Sequence, residues 1–215
     1  MPHAPVRAFA AIAVMAALTA LGGCAPRAAR FDPDAVPEGY RRSTAALMWP
    51  GATRAFQITP EGDLYNGAWR VRIAGGPLAL GTPRTIAFED RWLPVAHWRR
   101  AQGPVRWEFE AVALPAPAPC DTGLVASVLA TAVNAGAAPA PARLECTLEP
   151  ADSLDDYVAF DTPAAAAPPR WSGAGSDTVH AWASAPATGA TVAARWTLAP
   201  GERRTLRLVV PTYPT

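Results

Sequence analysis

The sequence predicts an all-β chain, an antiparallel β-sandwich, on three observations. In "PVRWEFEAVAL" the apolar residues Val105, Trp107, Phe109 and Ala111 alternate with the charged residues Arg106, Glu108 and Glu110, the period of two that marks a strand with one buried face. The same alternation recurs in Val192, Ala194, Trp196 and Leu198, and again in Leu206, Leu208 and Val210. Turn-forming pieces such as "TPEGD", "AGGP" and "NAGAAPAP" recur about every ten residues, and no segment after residue 40 carries a helical period.

The elements follow in chain order. Residues 1–23 open with Arg7, continue as an apolar run from Ala8 to Leu21 and end in small residues, the three-part layout of a secretory signal. The run is about 14 residues long, short of the roughly 18 to 20 that cross a bilayer as a helix. Residues 24–40, with "APRAARFDPDAVPEG", combine prolines and scattered charges without apolar periodicity and read as a tether. Residues 41–215 form the sandwich, with strands expected near 44–49, 54–59, 67–74, 84–89, 92–98, 105–114, 123–133, 141–149, 178–183, 191–198 and 203–210. Asn134 begins an Asn-x-Gly turn that would join 123–133 to 141–149 as a hairpin. Pro200 and Gly201 fit the two central positions of a type II turn and would join the last two strands in the same way. Region 161–177 holds too many Pro and Gly residues for a strand and reads as a long loop. "PAPAPC", 115–120, marks a subdivision if the chain holds two small sandwiches; one large sandwich is the preferred reading.

Within the signal, Leu21-Gly22-Gly23-Cys24 is similar to the lipobox of bacterial lipoproteins. That resemblance implies acylation of the Cys24 thiol and cleavage just before it. The protein would then be held by lipid in the cell envelope, with Ala25 matching lipoproteins passed to the outer membrane and facing the periplasm. Lasting attachment needs two or more acyl chains, each buried methylene contributing about 0.8 kcal/mol.

Charge excludes one class of partner. Loss of residues 1–23 removes Arg7 from the 19 basic residues and leaves 18 against 18 acidic ones, so no basic excess marks a nucleic-acid binder. All the cations are Arg; with Ala, Pro and Gly also abundant, this reads as the codon bias of a GC-rich genome.

Catalytic and metal constellations are weak. Glu108 and Glu110 lie on the polar face of their strand, as solvated charges rather than a glycosidase pair. Asp152, Asp155 and Asp156 lack the spacing and turn glycine of a calcium loop, and Ser176, Asp177 and His180 lack a nucleophile elbow. His97 and His180 have no cysteine at zinc-ligand spacing. No catalytic residue, metal or cofactor is therefore expected. With Cys24 lipidated, Cys120 and Cys146 are the remaining thiols; an oxidising compartment favours their disulfide, while the expected hairpin sets them far apart. Trp92, Trp98 and Trp171, with Arg91 and Arg99, are candidates for sugar binding, ring stacking on ring and guanidinium on hydroxyls; burial at the sandwich rim is the competing reading.

The order of segments from about residue 100 to 211, with Asn134-Ala135-Gly136 and the late "LAPGE" at 198–202, resembles the amino-terminal β-supersandwich domain of glycoside hydrolases with an (α/α) toroid, the bile-acid β-glucosidase-like family. Both motifs also serve turns in immunoglobulin-like domains. In the hydrolases the catalytic carboxylates lie in the toroid, so the resemblance transfers no catalytic residue and implies an accessory domain. The function expected is binding or scaffolding by a non-catalytic, membrane-anchored lipoprotein, with a polysaccharide or an envelope protein as partner. The alternatives are the accessory half of a split glycosidase and a purely structural envelope protein.

Overall fold

The computed structural model describes residues 31–50, 55–66, 69–91, 93–115, 123–150, 158–161, 170–173, 179–185, 187–188 and 190–211. From Asp32 onward it is an antiparallel two-sheet sandwich. One sheet has seven strands: β1 (Ala45–Leu47), β2 (Phe56–Ile58), β3 (Leu64–Tyr65), β4 (Trp69–Ala74), β9 (Ala140–Pro150), β14 (Thr191–Leu198) and β13 (Ala187–Thr188), in that spatial order. The other has eight, in the order β10 (Val158–Asp161), β11 (Arg170–Gly173), β12 (Val179–Ala183), β15 (Arg203–Pro211), β8 (Leu124–Asn134), β7 (Val105–Pro115), β6 (Val95–Gln102) and β5 (Ile86–Phe88). That is beyond the seven to nine strands of an immunoglobulin domain.

Alternation builds the core. Trp107, Phe109, Ala111 and Ala113 of β7 face inward, as do Leu124, Ala126, Val128, Ala130 and Ala132 of β8. Trp107 stacks on Phe109 within its sheet, ring centroids 6.4 Å apart, and on Trp196 of the facing sheet at 5.8 Å. The alanine rows let these rings sit between the sheets.

Two expected hairpins turn out to be corners. β8 pairs with β7 and β15, whereas β9 pairs with β4 and β14, so the Asn134 turn carries the chain from one sheet to the other. The Pro200-Gly201 turn does the same between β14 and β15. Its local geometry is as expected: Gly201 has φ +74°, and the Glu202 N–H donates to the Ala199 carbonyl at 2.9 Å. What differs is that the strands leaving each turn find partners elsewhere.

Asn134 locks both corners. Its side-chain amide donates to the carbonyls of Ala138 at 2.8 Å and Leu198 at 2.9 Å, and its Oδ1 accepts from the Gly136 N–H at 2.9 Å. Its backbone N–H donates to Glu202, and its backbone carbonyl accepts from Gly201. The Asn-x-Gly and "LAPGE" motifs thus bond to one another through a side chain that is 1% exposed.

Two further expectations are corrected. Strand β11 and the end of β10 lie within the segment read as a loop, and β3 and β13 are two-residue strands too short to show a period. The tether does not extend to residue 40. A short 3-10 turn at Pro33–Ala35 packs on β5 and β6, with Pro33 and Val36 buried, and Arg99 of β6 pairs with Asp32 and with Asp34 at 3.1 Å. Two of the charges in this stretch, Asp32 and Asp34, fix it to the sheet.

A candidate binding cleft at the end of β4 and β6

β6 presents Ala96, Trp98, Arg100 and Gln102 to the interior and His97 and Arg99 to the outside. Two large polar side chains therefore point into an apolar sandwich, and each reaches the facing sheet. The Gln102 amide donates to the Arg143 carbonyl at 2.7 Å, while its oxygen accepts the Arg143 N–H at 2.8 Å and the Trp107 indole N–H at 3.3 Å. The Arg100 guanidinium, in a residue 7% exposed, donates to the carbonyls of Ile73 at 2.7 Å, Gly81 at 2.7 Å and Leu80 at 3.4 Å. Arg100 thereby holds the β4–β5 connection against β6.

That connection and the end of β4 border an open cleft of about 330 Å³ with Arg100 in its wall. The volume falls at the lower end of small-molecule sites. Its apolar wall is Leu78, Ala79 and Leu80; its polar wall is Glu61, Asp63 and Arg70, with Arg72 beside them. The loop is tightly set. A Cβ on Gly75 would meet the Leu78 carbonyl oxygen at 2.0 Å, and the Leu78 N–H donates back to the Gly75 carbonyl. Only glycine permits that approach.

The two carboxylates behave differently. Asp63, 2% exposed, accepts the Ile73 N–H on Oδ1 at 2.8 Å and both Nε and Nη2 of Arg70 on Oδ2, at 2.9 and 2.5 Å. This carboxylate is committed to the fold. Glu61 stands in solvent with its pKa held below the usual value, first by the Thr59 hydroxyl and then by its own backbone N–H. A general acid for glycoside hydrolysis requires the opposite shift. Burial pushes the Arg100 pKa down, while the Asp63 charge counteracts it. The Asp63 bond raises that of Arg70.

Of the residues expected to bind sugar, only Trp98 and Arg99 have described side chains, and neither lines this cleft. Trp98 is 1% exposed and stacks on Phe109 with centroids 5.0 Å apart and planes 6° from parallel, so its ring has no face for a ligand. Neighbouring charges pointed to the surface, but on a strand adjacent residues face opposite ways. Arg99 is engaged with Asp32 and Asp34. Trp92 and the side chains of Arg91 and Trp171 lie outside the described residues, as do Cys24, Cys120, Asp152, Asp155, Asp156, Ser176 and Asp177 and the His180 side chain. Cys146 is a free thiol, fully buried on β9 opposite Ile73 and Val192. β9 does not pair with β8, so Cys146 has no strand partner in β8, contrary to the expected hairpin. Burial pushes its pKa up to about 12. Glu108 pairs with Arg203 and with Arg106, consistent with a surface charge network. Among the described residues, no cluster of three or more His, Cys, Asp or Glu is placed to hold a metal ion.

One signal for the cleft is legible in the sequence: Arg100 and Gln102 continue the inward register of Ala96 and Trp98. Read by period rather than by polarity, that row foretells two buried polar residues at one end of the sandwich. No protein-family model matches the chain, and no curated protein matches it with significant similarity.

Proposed function

We propose that the chain is a lipid-anchored envelope protein whose sandwich binds a small solute, a binding role rather than a catalytic one. The anchor rests on the sequence: Leu21-Gly22-Gly23-Cys24 after an apolar run, followed by a folded unit that begins at Asp32, eight residues on. Attachment at Cys24 would keep the sandwich at the membrane, on the periplasmic side of the outer membrane.

The binding role rests on the cleft, and the single observation that carries it is Arg100. A guanidinium 7% exposed is held by three carbonyls in a preformed wall, without a hydrogen-bonded carboxylate among the described residues. Neither nearby carboxylate is poised for acid catalysis: Asp63 is spent in the fold, and Glu61 is shifted away from holding a proton at neutral pH. The accessory-domain resemblance agrees with a non-catalytic role.

Radiolabelled palmitate supplied to a Gram-negative host expressing the full chain should enter the wild-type protein and not the Cys24→Ala variant, with the wild type in the membrane fraction. Absence of label from the wild type would remove the anchor.

A further inference from the structure

We propose that the cleft between the end of β4 and β6 takes a small organic carboxylate with a branched apolar body. This rests on the binding reading above and gives that site a ligand class.

The argument is a count of donors. A guanidinium carries five N–H groups. Arg100 spends three, on Gly81, Ile73 and Leu80, so two remain on Nη1 and Nη2. Arg70 directs Nε and one N–H of Nη2 at Asp63, so three remain on a side chain 39% exposed. Acceptors are fewer. Three of the roughly four acceptor sites of Asp63 are taken, and Glu61 is engaged by Thr59. Arg72 is paired with Glu149 at 2.6 Å, so Arg70 and Arg100 balance Glu61 and Asp63 and the lining is formally neutral. What stands in excess is N–H donors on two guanidiniums, and the occupant that meets them is an acceptor with two oxygens.

Shape selects among anions. Guanidinium and carboxylate match in plane and spacing and bond through two parallel N–H···O contacts, which a spherical ion such as chloride does not offer. The lining also includes Leu78, Ala79 and Leu80, a surface for methyl groups. A carboxylate on the arginine side with a short branched hydrocarbon on the leucine side satisfies both walls. The site is set before the ligand arrives, because Arg100 is tied to three carbonyls and the Gly75 turn is closed by its own hydrogen bond, so little ordering opposes binding.

The probe is isovalerate, with isovaleramide as its neutral isostere. Isovalerate should shift the backbone amide resonances of Gly75, Gly76, Leu78 and Ala79 of the detergent-solubilised full chain saturably, and isovaleramide should bind at least about tenfold more weakly. Leu78→Trp, at a half-exposed position, fills the cleft and should abolish the shifts with the spectrum otherwise folded. Glu61→Gln removes the competing negative charge and should tighten isovalerate about threefold, a gain that a damaged fold does not produce. The proposal is overturned by the absence of saturable shifts, by equal binding of acid and amide, by binding that survives Leu78→Trp, or by inorganic phosphate outcompeting isovalerate at equal concentration. None of these outcomes touches the Cys24 anchor, which the palmitate experiment decides separately.

Discussion

Asn134 and Arg100 sit at the same end of the sandwich, both buried and both binding several backbone carbonyls, yet they do different work. Gln102 lies opposite Val105, and Val105 opposite Asn134, which places the two sites in neighbouring rows. Asn134 uses its two amide hydrogens on Ala138 and Leu198 and its oxygen on Gly136. Arg100 leaves two of its five N–H groups over, and the space beside it is open. A buried polar residue whose capacity is spent inside the protein is architecture; one with capacity to spare, beside a cleft, is a place for solute.

Three substitutions or conditions break or sharpen that contrast. The largest effect is expected from Asn134→Ala, which strips partners from two carbonyls and one N–H at the closed corner. Stability measured by urea unfolding should fall by about 2 to 4 kcal/mol, while the cleft amides keep their isovalerate response. Loss of both together would mean that the two sites are one unit.

The next effect tests how dry the interior between β4 and β14 is. The Cys146 pKa of about 12 lies above the value near 8.5 of an unfolded thiol, so the folded chain holds its proton longer. The stability from the neutral thiol is complete below about pH 8.5 and declines by about 1.4 kcal/mol per pH unit above it, until the folded pKa is reached. Comparing urea midpoints of wild type and Cys146→Ala between pH 8 and 10 isolates this slope. The same thiol should stay unreactive to Ellman's reagent at pH 8 until urea unfolds the chain; rapid reaction in the native protein would show an open path to it.

The smallest effect is Gly201→Ala. No atom lies within 4 Å of the added Cβ, so only the positive φ of +74° resists it, at about 1 kcal/mol. A much larger loss would show that the Asn134 corner tolerates no adjustment at all.

Local pattern revealed the strands and missed their company. The alternation of β7, β14 and β15 was visible because Trp107, Phe109, Trp196 and Leu208 stand on one face of their strands. Pairing was not visible, because the Asn134 and Pro200-Gly201 turns look alike whether the strands that leave them stay together or part. The decision belongs to residues far away, such as Ile73 of β4 and Val192 of β14, which flank Cys146 and seat β9 between them. At the candidate site, polarity hid position. Arg99 and Arg100 adjoin Trp98 in sequence, but one points outward to Asp32 and Asp34 and the other inward to Ile73, Leu80 and Gly81, so their charge said nothing about where the indole lay. Asp63 and the β4–β5 connection complete the cleft from 20 to 40 residues upstream, a distance over which a period carries no information.

The strand order also bears on the timing of folding. The last strand, β15, is not at an edge: it lies between β12 and β8, just as β14 lies between β9 and β13. Until residue 211 is available, β12 has no neighbour toward the middle of its sheet, and β8 keeps an open edge along its whole length. The eight-stranded sheet cannot close before residue 211 has been made, and contacts between residues 64 apart, such as Asn134 with Leu198, complete the corner. A chain truncated anywhere before β15 would therefore present β8 as a long, unpaired template for aggregation.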